Sequence, residues 1–331
     1  TLLKECCELR AASNICEWVG SESQRGSGLW HACLVEVQPG VAASTLSHCA
    51  EQLGCVWTSC GVYDVAAAML EGSLAMARRI HGSMHHSDVA SSLHSLAQVY
   101  MAQGRLDECA SLHEESLAIK RGIHGSEDHS NVASSLHSLA QVYEAQGRLD
   151  ECASLLGESL AMLRRIYGSK DHRSVAVSLH SLAQVYFAQG RWDDSALLYE
   201  ESLAMTLRIH GSKDHSDVAA SLHSLARVYM TQDRLDECVS LTEESLAMTR
   251  RIHGSKDHSG VAAALHSLGR AYMVHGRLDD SASLNEESLA MLRRIHGSKD
   301  HSNVAVLLCS LAQVYMAQGR WGESASLHEE S

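Results

Sequence analysis

One proline and one phenylalanine in 331 residues, with aromatics at 5%, leave too little to turn and pack the strands of a β-sandwich or barrel. The apolar content that is present, 45%, is dominated by Leu, Ala, Val and Met, which suit close helix packing. Apolar runs such as Val65 to Leu70 fall far short of the roughly 20 residues that cross a bilayer, and no positively charged start leads into an apolar segment. Membrane insertion is therefore not expected. Basic residues are scarce, 27 against 40 acidic ones for a formal charge of −13, which argues against a phosphate-binding surface and against nucleic acid as the partner. Cysteine is present without a disulfide pattern. Seven of the eleven lie in the first 60 residues without C-x-x-C spacing, and Cys109, Cys152, Cys238 and Cys309 are scattered over the rest. No N-x-S/T acceptor occurs either, so the expected setting is intracellular, the cytoplasm first, with organelle import left open because the chain begins at Thr1.

What the chain has in quantity is histidine, 22 residues, and repetition. His86, His129, His172, His215, His258 and His301 open near-copies of one text, and 129 minus 86, like each later step, is 43. Within a copy, Val89, Leu93, Leu96, Ala97 and Tyr100 recur at helical spacing and Gly104 stops the run, which defines a helix A. Leu106, Cys109, Ala110, Leu112, Leu117, Ile119 and Ile123 form a second stripe ending at Gly125, a helix B. Ser130 and its counterparts Ser87, Ser216, Ser259 and Ser302 read as N-caps of the A helices. A hairpin of about 40 residues buries too little apolar surface to stand alone, so the copies must stack.

L-x-x-L-A-x-x-Y followed by G-R-L-D-E-[CS]-A resembles a tetratricopeptide repeat. V-A-x-x-L-x-x-L-A-x-x-Y, A-Q-G-R, S-L-A-[MI] and H-G-x-x-D-H together resemble the longer kinesin-light-chain type. The resemblance covers residues 86–331. It departs at the turn, which reads D-H-S where that family has D-H-P and is one residue longer, and on helix A, where histidine stands in place of the family's Asn. The implied fold is all-α, a right-handed superhelical solenoid of antiparallel helix hairpins.

The expected organisation is an N-terminal helical cap or degenerate repeat over 1–42, a degenerate repeat over 43–85, and six units over 86–331. These units are 86–128, 129–171, 172–214, 215–257, 258–300 and a truncated 301–331. In 43–85, Leu53, Gly54, Val56 and Trp57 stand for Leu96, Ala97, Val99 and Tyr100. In 1–42, residues 2–19 read as a helix. Thr1 and the break at Ser331 suggest a piece of a longer protein.

No phosphate loop, dinucleotide loop, H-E-x-x-H or G-x-S-x-G is present, so an enzyme is not expected, and neither a cofactor nor a metal is called for. The one ordered polar feature is a ladder on helix A. His94, His137, His180, His223 and His266 lead to Cys309, and four residues on, sharing their face, come Gln98, Gln141, Gln184, Arg227, Arg270 and Gln313. Tandem duplication alone accounts for such a ladder, since the first two clean copies differ at only nine of 43 positions. Groove contact is the other reading, because the resemblance implies that this face lines a concave groove gripping an extended peptide or its carboxylate. A zinc shared between rungs is opposed by distance, as packed helices lie about 8–10 Å apart while zinc–nitrogen bonds are about 2 Å.

The turn histidines, such as His124 with His129 and His210 with His215, read as hydrogen-bonded to local backbone at the helix ends. Cys109, Cys152 and Cys238 read as small, buried and inert. Glu114 and Glu115 read as a solvated face with charge partners supplied along the helix by pairs of the Arg164–Arg165 kind. The expected function is a non-catalytic scaffold or adaptor holding a peptide or protein segment, acidic in character, in its groove. The rungs are expected to bind harder as they gain charge below about pH 6.5. The alternatives are a structural subunit of a large assembly, bound through edges and convex face, and the sensor segment of a larger signalling NTPase.

Overall fold

In the computed structural model the described residues are 54–330, except 56, 59–60, 82–85, 212–213, 255 and 297–301. The cap expected over 1–42 therefore lies outside them, as do His85 and His301. The described residues hold thirteen helices and no strand. They are α1 (Tyr63–His81), α2 (Ser87–Ala102), α3 (Leu106–His124), α4 (Ser130–Ala145), α5 (Leu149–Tyr167), α6 (Arg173–Ala188) and α7 (Trp192–His210). Then follow α8 (Ser216–Thr231), α9 (Leu235–His253), α10 (Ser259–Val274), α11 (Leu278–His296), α12 (Ser302–Ala317) and α13 (Trp321–Glu330). The chain divides into two units, Thr1–Ile166 and Tyr167–Ser331, and no described helix is long and apolar enough to cross a membrane.

The A helices are the even-numbered ones, and each closes the same way. At the end of α2, Gly104 sits at φ +74° and donates to Met101 O at 3.1 Å, while Arg105 N donates to Tyr100 O at 2.8 Å. This Schellman closure satisfies two orphan carbonyls and needs a left-handed residue that glycine adopts at no steric cost. In the fourth full copy that residue is Asp233, held at φ 60°.

The start of each A helix corrects the sequence reading. Ser130 is the first helical residue, and the N-cap is His129, whose Nδ1 accepts the Asn131 N–H at 3.1 Å. His86, His172, His215 and His258 cap in the same way. Imidazole succeeds here because its ring also stacks on the last residue of the preceding B helix, His124 on His129 with centroids 3.6 Å apart and Tyr167 on His172 at 3.5 Å. One side chain thus caps one helix and packs against another.

Within each unit, consecutive helices pack on the stripes read from the sequence. Leu93, Leu96, Ala97 and Tyr100 of α2 are buried with Cys109, Ala110, Leu117 and Ile119 of α3. Ile123, assigned to the same stripe, is exposed. Two buried polar positions on the B helices pin the hairpins. Ser116 donates to Ala90 O at 2.8 Å, and Ser159, Ser202, Ser245 and Ser288 repeat the bond to the preceding A helix. Cys109 Sγ lies 3.1 Å from Ala97 O, a contact that Ser195, Ser281 and Ser324 make through hydroxyls. Only a small side chain fits so near a backbone carbonyl. Burial raises the Cys109, Cys152 and Cys238 thiols to about 11, so they stay protonated and unreactive, and all three are free.

Candidate binding face

The ladder residues sit on one side of the A helices. In the first unit, His94 is half-buried against its own hairpin, its ring edge-on to His113 of α3 with centroids 5.2 Å apart, and Gln98 Nε2 lies 3.1 Å from its Nε2. On α4 His137 is half-buried and Gln141 exposed. In the second unit, His180 lies edge-on to Tyr199 of α7 at 4.9 Å and 3.5 Å from Ser224 Oγ of the next A helix. His266 Nε2 lies 3.0 Å from Ser310 Oγ of α12. His94, His180 and His266 therefore join neighbouring helices as well as lining the face, while Gln98, Gln141, Gln184, Arg227, Arg270 and Gln313 are exposed.

This burial overturns the expected charging near pH 6.5. Desolvation holds His94, His137, His180, His223 and His266 below the ordinary imidazole value. Lys120 adds to this at His94, and Arg227 with Arg270 add to it at His223. Only Asp217, near His180, opposes it. Burial thus favours the neutral form of the rungs, and the fixed charge of the face belongs to the arginines. Arg227 has its guanidinium carbon 5.1 Å from the Phe187 ring centroid. Neither Arg227 nor Arg270 makes an ion pair among the described residues. The arginines elsewhere on the repeats are tied down: Arg165 to Asp128 at 2.6 Å, Arg251 to Asp214 at 2.8 Å, Arg78 to Glu115 at 2.7 Å.

Those pairs also correct the reading of Glu115, whose partner is not on its own helix. It meets Arg78 of the preceding B helix, and Arg250 meets Glu287 in the same fashion. A second set of cross-copy contacts joins Tyr100 Oη to Glu71 at 2.7 Å, with the Arg105 guanidinium 3.7 Å over the tyrosine ring. Tyr143, Tyr229, Tyr272 and Tyr315 repeat it.

Sequence reasoning missed His113, which is buried, pushed down to about 4 by desolvation and by the charges of His94 and Lys120, and without a hydrogen bond at Nδ1 among the described residues. Its slot holds Leu156, Tyr199, Thr242 and Asn285 in the next four copies and His328 in the last, so no stripe marks it. Two groups gather three donors able to hold a metal, His81 with His86 and Asp88, and His210 with His215 and Asp217. In both, the capping histidine already uses its Nδ1 lone pair on a backbone N–H, and the stacked rings, 7° and 13° from parallel, direct their nitrogens along parallel lines and not to one point.

Tetratricopeptide repeat profiles match residues 88–165, 131–208, 217–294 and 260–331, and another profile of the same kind matches 46–87. No curated protein sequence matches the chain. Among solved structures it is similar to the nearly identical TPR-like repeats of a Podosopora anserina protein described as a kinesin light chain, at 30% identity and a TM-score of 0.58 over 65% of this chain and 100% of that one. BtubC (BKLC) from P. vanneervenii shares the fold at 20% identity and a TM-score of 0.61, over 70% of this chain and 91% of that one. A signal transduction ATPase with a tetratricopeptide repeat sensor from Pyrococcus horikoshii does so at 16% identity and a TM-score of 0.65, covering 99% of this chain and 46% of its own. The helix hairpins, their Gly-closed turns and the profiles that match most of the length agree, and the chain belongs to the tetratricopeptide repeat family.

Proposed function

We propose that this protein is a non-catalytic scaffold that holds an extended, acidic protein segment on the exposed side of its A helices, with Arg227 and Arg270 as the carboxylate anchors. The observation that supports it most is electrostatic. On a chain with a net charge of −13, in which arginine after arginine is paired within or between copies, these two are exposed on the ladder face beside His223 with no acidic partner among the described residues. A guanidinium so placed offers a bidentate fork to a carboxylate. Within the same unit the exposed Gln184 and Gln313 supply hydrogen bonds suited to a peptide backbone, and Gln98 and Gln141 offer the same on the A helices of the first unit.

The test uses a fluorescent acidic peptide and the full chain, with Arg227 and Arg270 both replaced by Gln, the residue other copies hold there. Binding should weaken at least tenfold at low salt while the melting temperature stays where it was, and the wild-type affinity should fall steeply with salt. Unchanged binding with unchanged melting would reject this face. The second reading, a subunit docked through other surfaces, is favoured by Trp192 and Leu197 of α7, which stand 45% and 64% exposed. Crosslinks from a captured partner falling on α7 in place of the A helices would then take its side.

A further inference from the structure

A cavity of about 180 Å³ opens between α6, α7 and α8, all in the second unit. An apolar cavity of about 150 Å³ holds benzene, so the space can take a short side chain. A short residue leaves room for it. The position of Thr206 on α7 carries Lys120 in the first full copy, Leu163 in the second and Leu292 in the fifth, all of which reach further; the fourth copy has Thr249 there, but with Gly260 and Ala264 where this cavity has Asp217 and Ser221.

The lining offers acceptors. Thr206 donates its hydroxyl proton to Ser202 O at 2.7 Å, Ser202 to Ala176 O at 2.9 Å and Ser221 to Asp217 O at 2.9 Å. Each of these hydroxyls has given its one proton to a backbone carbonyl and has only lone pairs left to share. The Asp217 carboxylate, its side chain 32% exposed, adds two more oxygens. The chain itself shows what such a wall receives: in the first copy Lys120 Nζ donates to Ser135 Oγ at 2.7 Å, and Ser135 is the counterpart of Ser221. The cavity between the third and fourth copies keeps that acceptor as Ser221, has Thr206 for the lysine, and places Asp217 where the first pocket has Asn131.

We propose that this cavity binds a primary alkylammonium group, that of a lysine side chain presented by a bound segment. The lysine's origin rests on the scaffold reading above, whereas the ammonium chemistry stands on the cavity alone. Three side chains approach the Asp217 carboxylate from within the chain, His210 Nε2 at 3.8 Å, His215 Nδ1 at 3.9 Å and Arg173, the nearest and the one that always carries charge. Arg173 Nε donates to Asp217 Oδ2 at 3.2 Å, but the side chain is 69% exposed and can withdraw into water at little cost.

The experiment is an NMR titration of the full chain at pH 7.5, following the imidazoles of His180 and His210, both in the cavity wall, with n-butylammonium, n-butanol, Nα-acetyl-lysine methylamide and cadaverine. Butylammonium should bind saturably and at least tenfold more tightly than butanol. Thr206→Leu, which installs the residue of the second and fifth copies, should abolish binding, and Arg173→Ser, the residue at Ser87 and Ser130, should tighten it severalfold. Asp217→Asn should weaken it at least tenfold and serves where Thr206→Leu does not fold. No saturable shift, equal binding of butanol, or full binding by these cavity-filling and charge-removing variants would overturn the site. Acetyl-lysine methylamide binding at least as tightly as cadaverine supports a side chain as the source, and the reverse order overturns that assignment. The Arg227→Gln, Arg270→Gln double variant should bind butylammonium like wild type, so the pocket and the acidic-segment reading can fail separately.

Discussion

At the scale of single residues, what was legible was whatever repeats in kind. Leu93, Leu96 and Ala97 show their burial because every copy has the same stripe, and Gly104 shows its turn for the same reason. His113 did not, since its slot holds a different residue in each of the next four copies and returns to histidine only at His328 in the last. Gly269 and Asn285 show how a copy compensates: a Cβ on Gly269 would lie 2.8 Å from Asn285 Nδ2, and Asn285 occupies the slot that holds Thr242 one copy earlier. Asp233 is a mismatch without compensation. It stands at φ 60° where Gly104, Gly147, Gly190, Gly276 and Gly319 stand in other copies, a conformation that costs an L-residue roughly 1 kcal/mol. Asp233→Gly should therefore raise stability by somewhat less than that, because glycine also gains freedom in the unfolded chain. Urea unfolding of the two proteins side by side measures it, and a lower midpoint in the variant would remove the strain argument.

At the scale of elements, helix existence, type and order followed from periodicity, while the joints did not. Side-chain pairing rules for an isolated helix look three or four residues along, yet Arg165 meets Asp128 and Tyr100 meets Glu71, 37 and 29 residues back. Those partners become neighbours only once copies stack. The caps slipped by one residue for a similar reason. Serine is the better local cap, but histidine adds a ring that stacks on the helix before it, an advantage that belongs to the pair of helices. The face of the candidate site was legible, as a shared side of helix A, but the half-burial of its histidines was not. Replacing His129 by Ala should lose about 1 kcal/mol as a cap, and more through the lost stack with His124. His129→Asp should restore the capping part alone. Chemical denaturation of the three proteins orders them wild type, Asp, Ala, and an Asp variant as weak as Ala would mean that the stack carries the joint and the cap adds nothing.

At the scale of the molecule, the ladder turns from a pH-triggered grip into a pH-dependent liability. His94, His113, His137, His180, His223 and His266 are all harder to protonate in the folded protein than in a solvated chain, chiefly through burial. Between the ordinary value of 6.5 and each folded value, the unfolded chain binds protons that the folded one refuses, so stability is full above 6.5 and falls as pH drops through that window. For His113 the window runs down to about 4, a difference worth about 3 kcal/mol at its lower end. The carboxylates held low by arginine, Asp128, Asp171, Asp214 and Asp257, lose their contribution only further down, below their ordinary value of 3.8, so the two effects separate on the pH axis. The urea midpoint should accordingly decline from pH 7 to pH 5, before the arginine-paired Asp128, Asp171, Asp214 and Asp257 titrate. His113→Leu, the residue its slot holds as Leu156, should flatten part of that decline without lowering the midpoint at pH 7. A midpoint that holds steady or rises on acidification to pH 5 would mean that the histidines are solvated, and the face would regain the charge switch that its burial denies it.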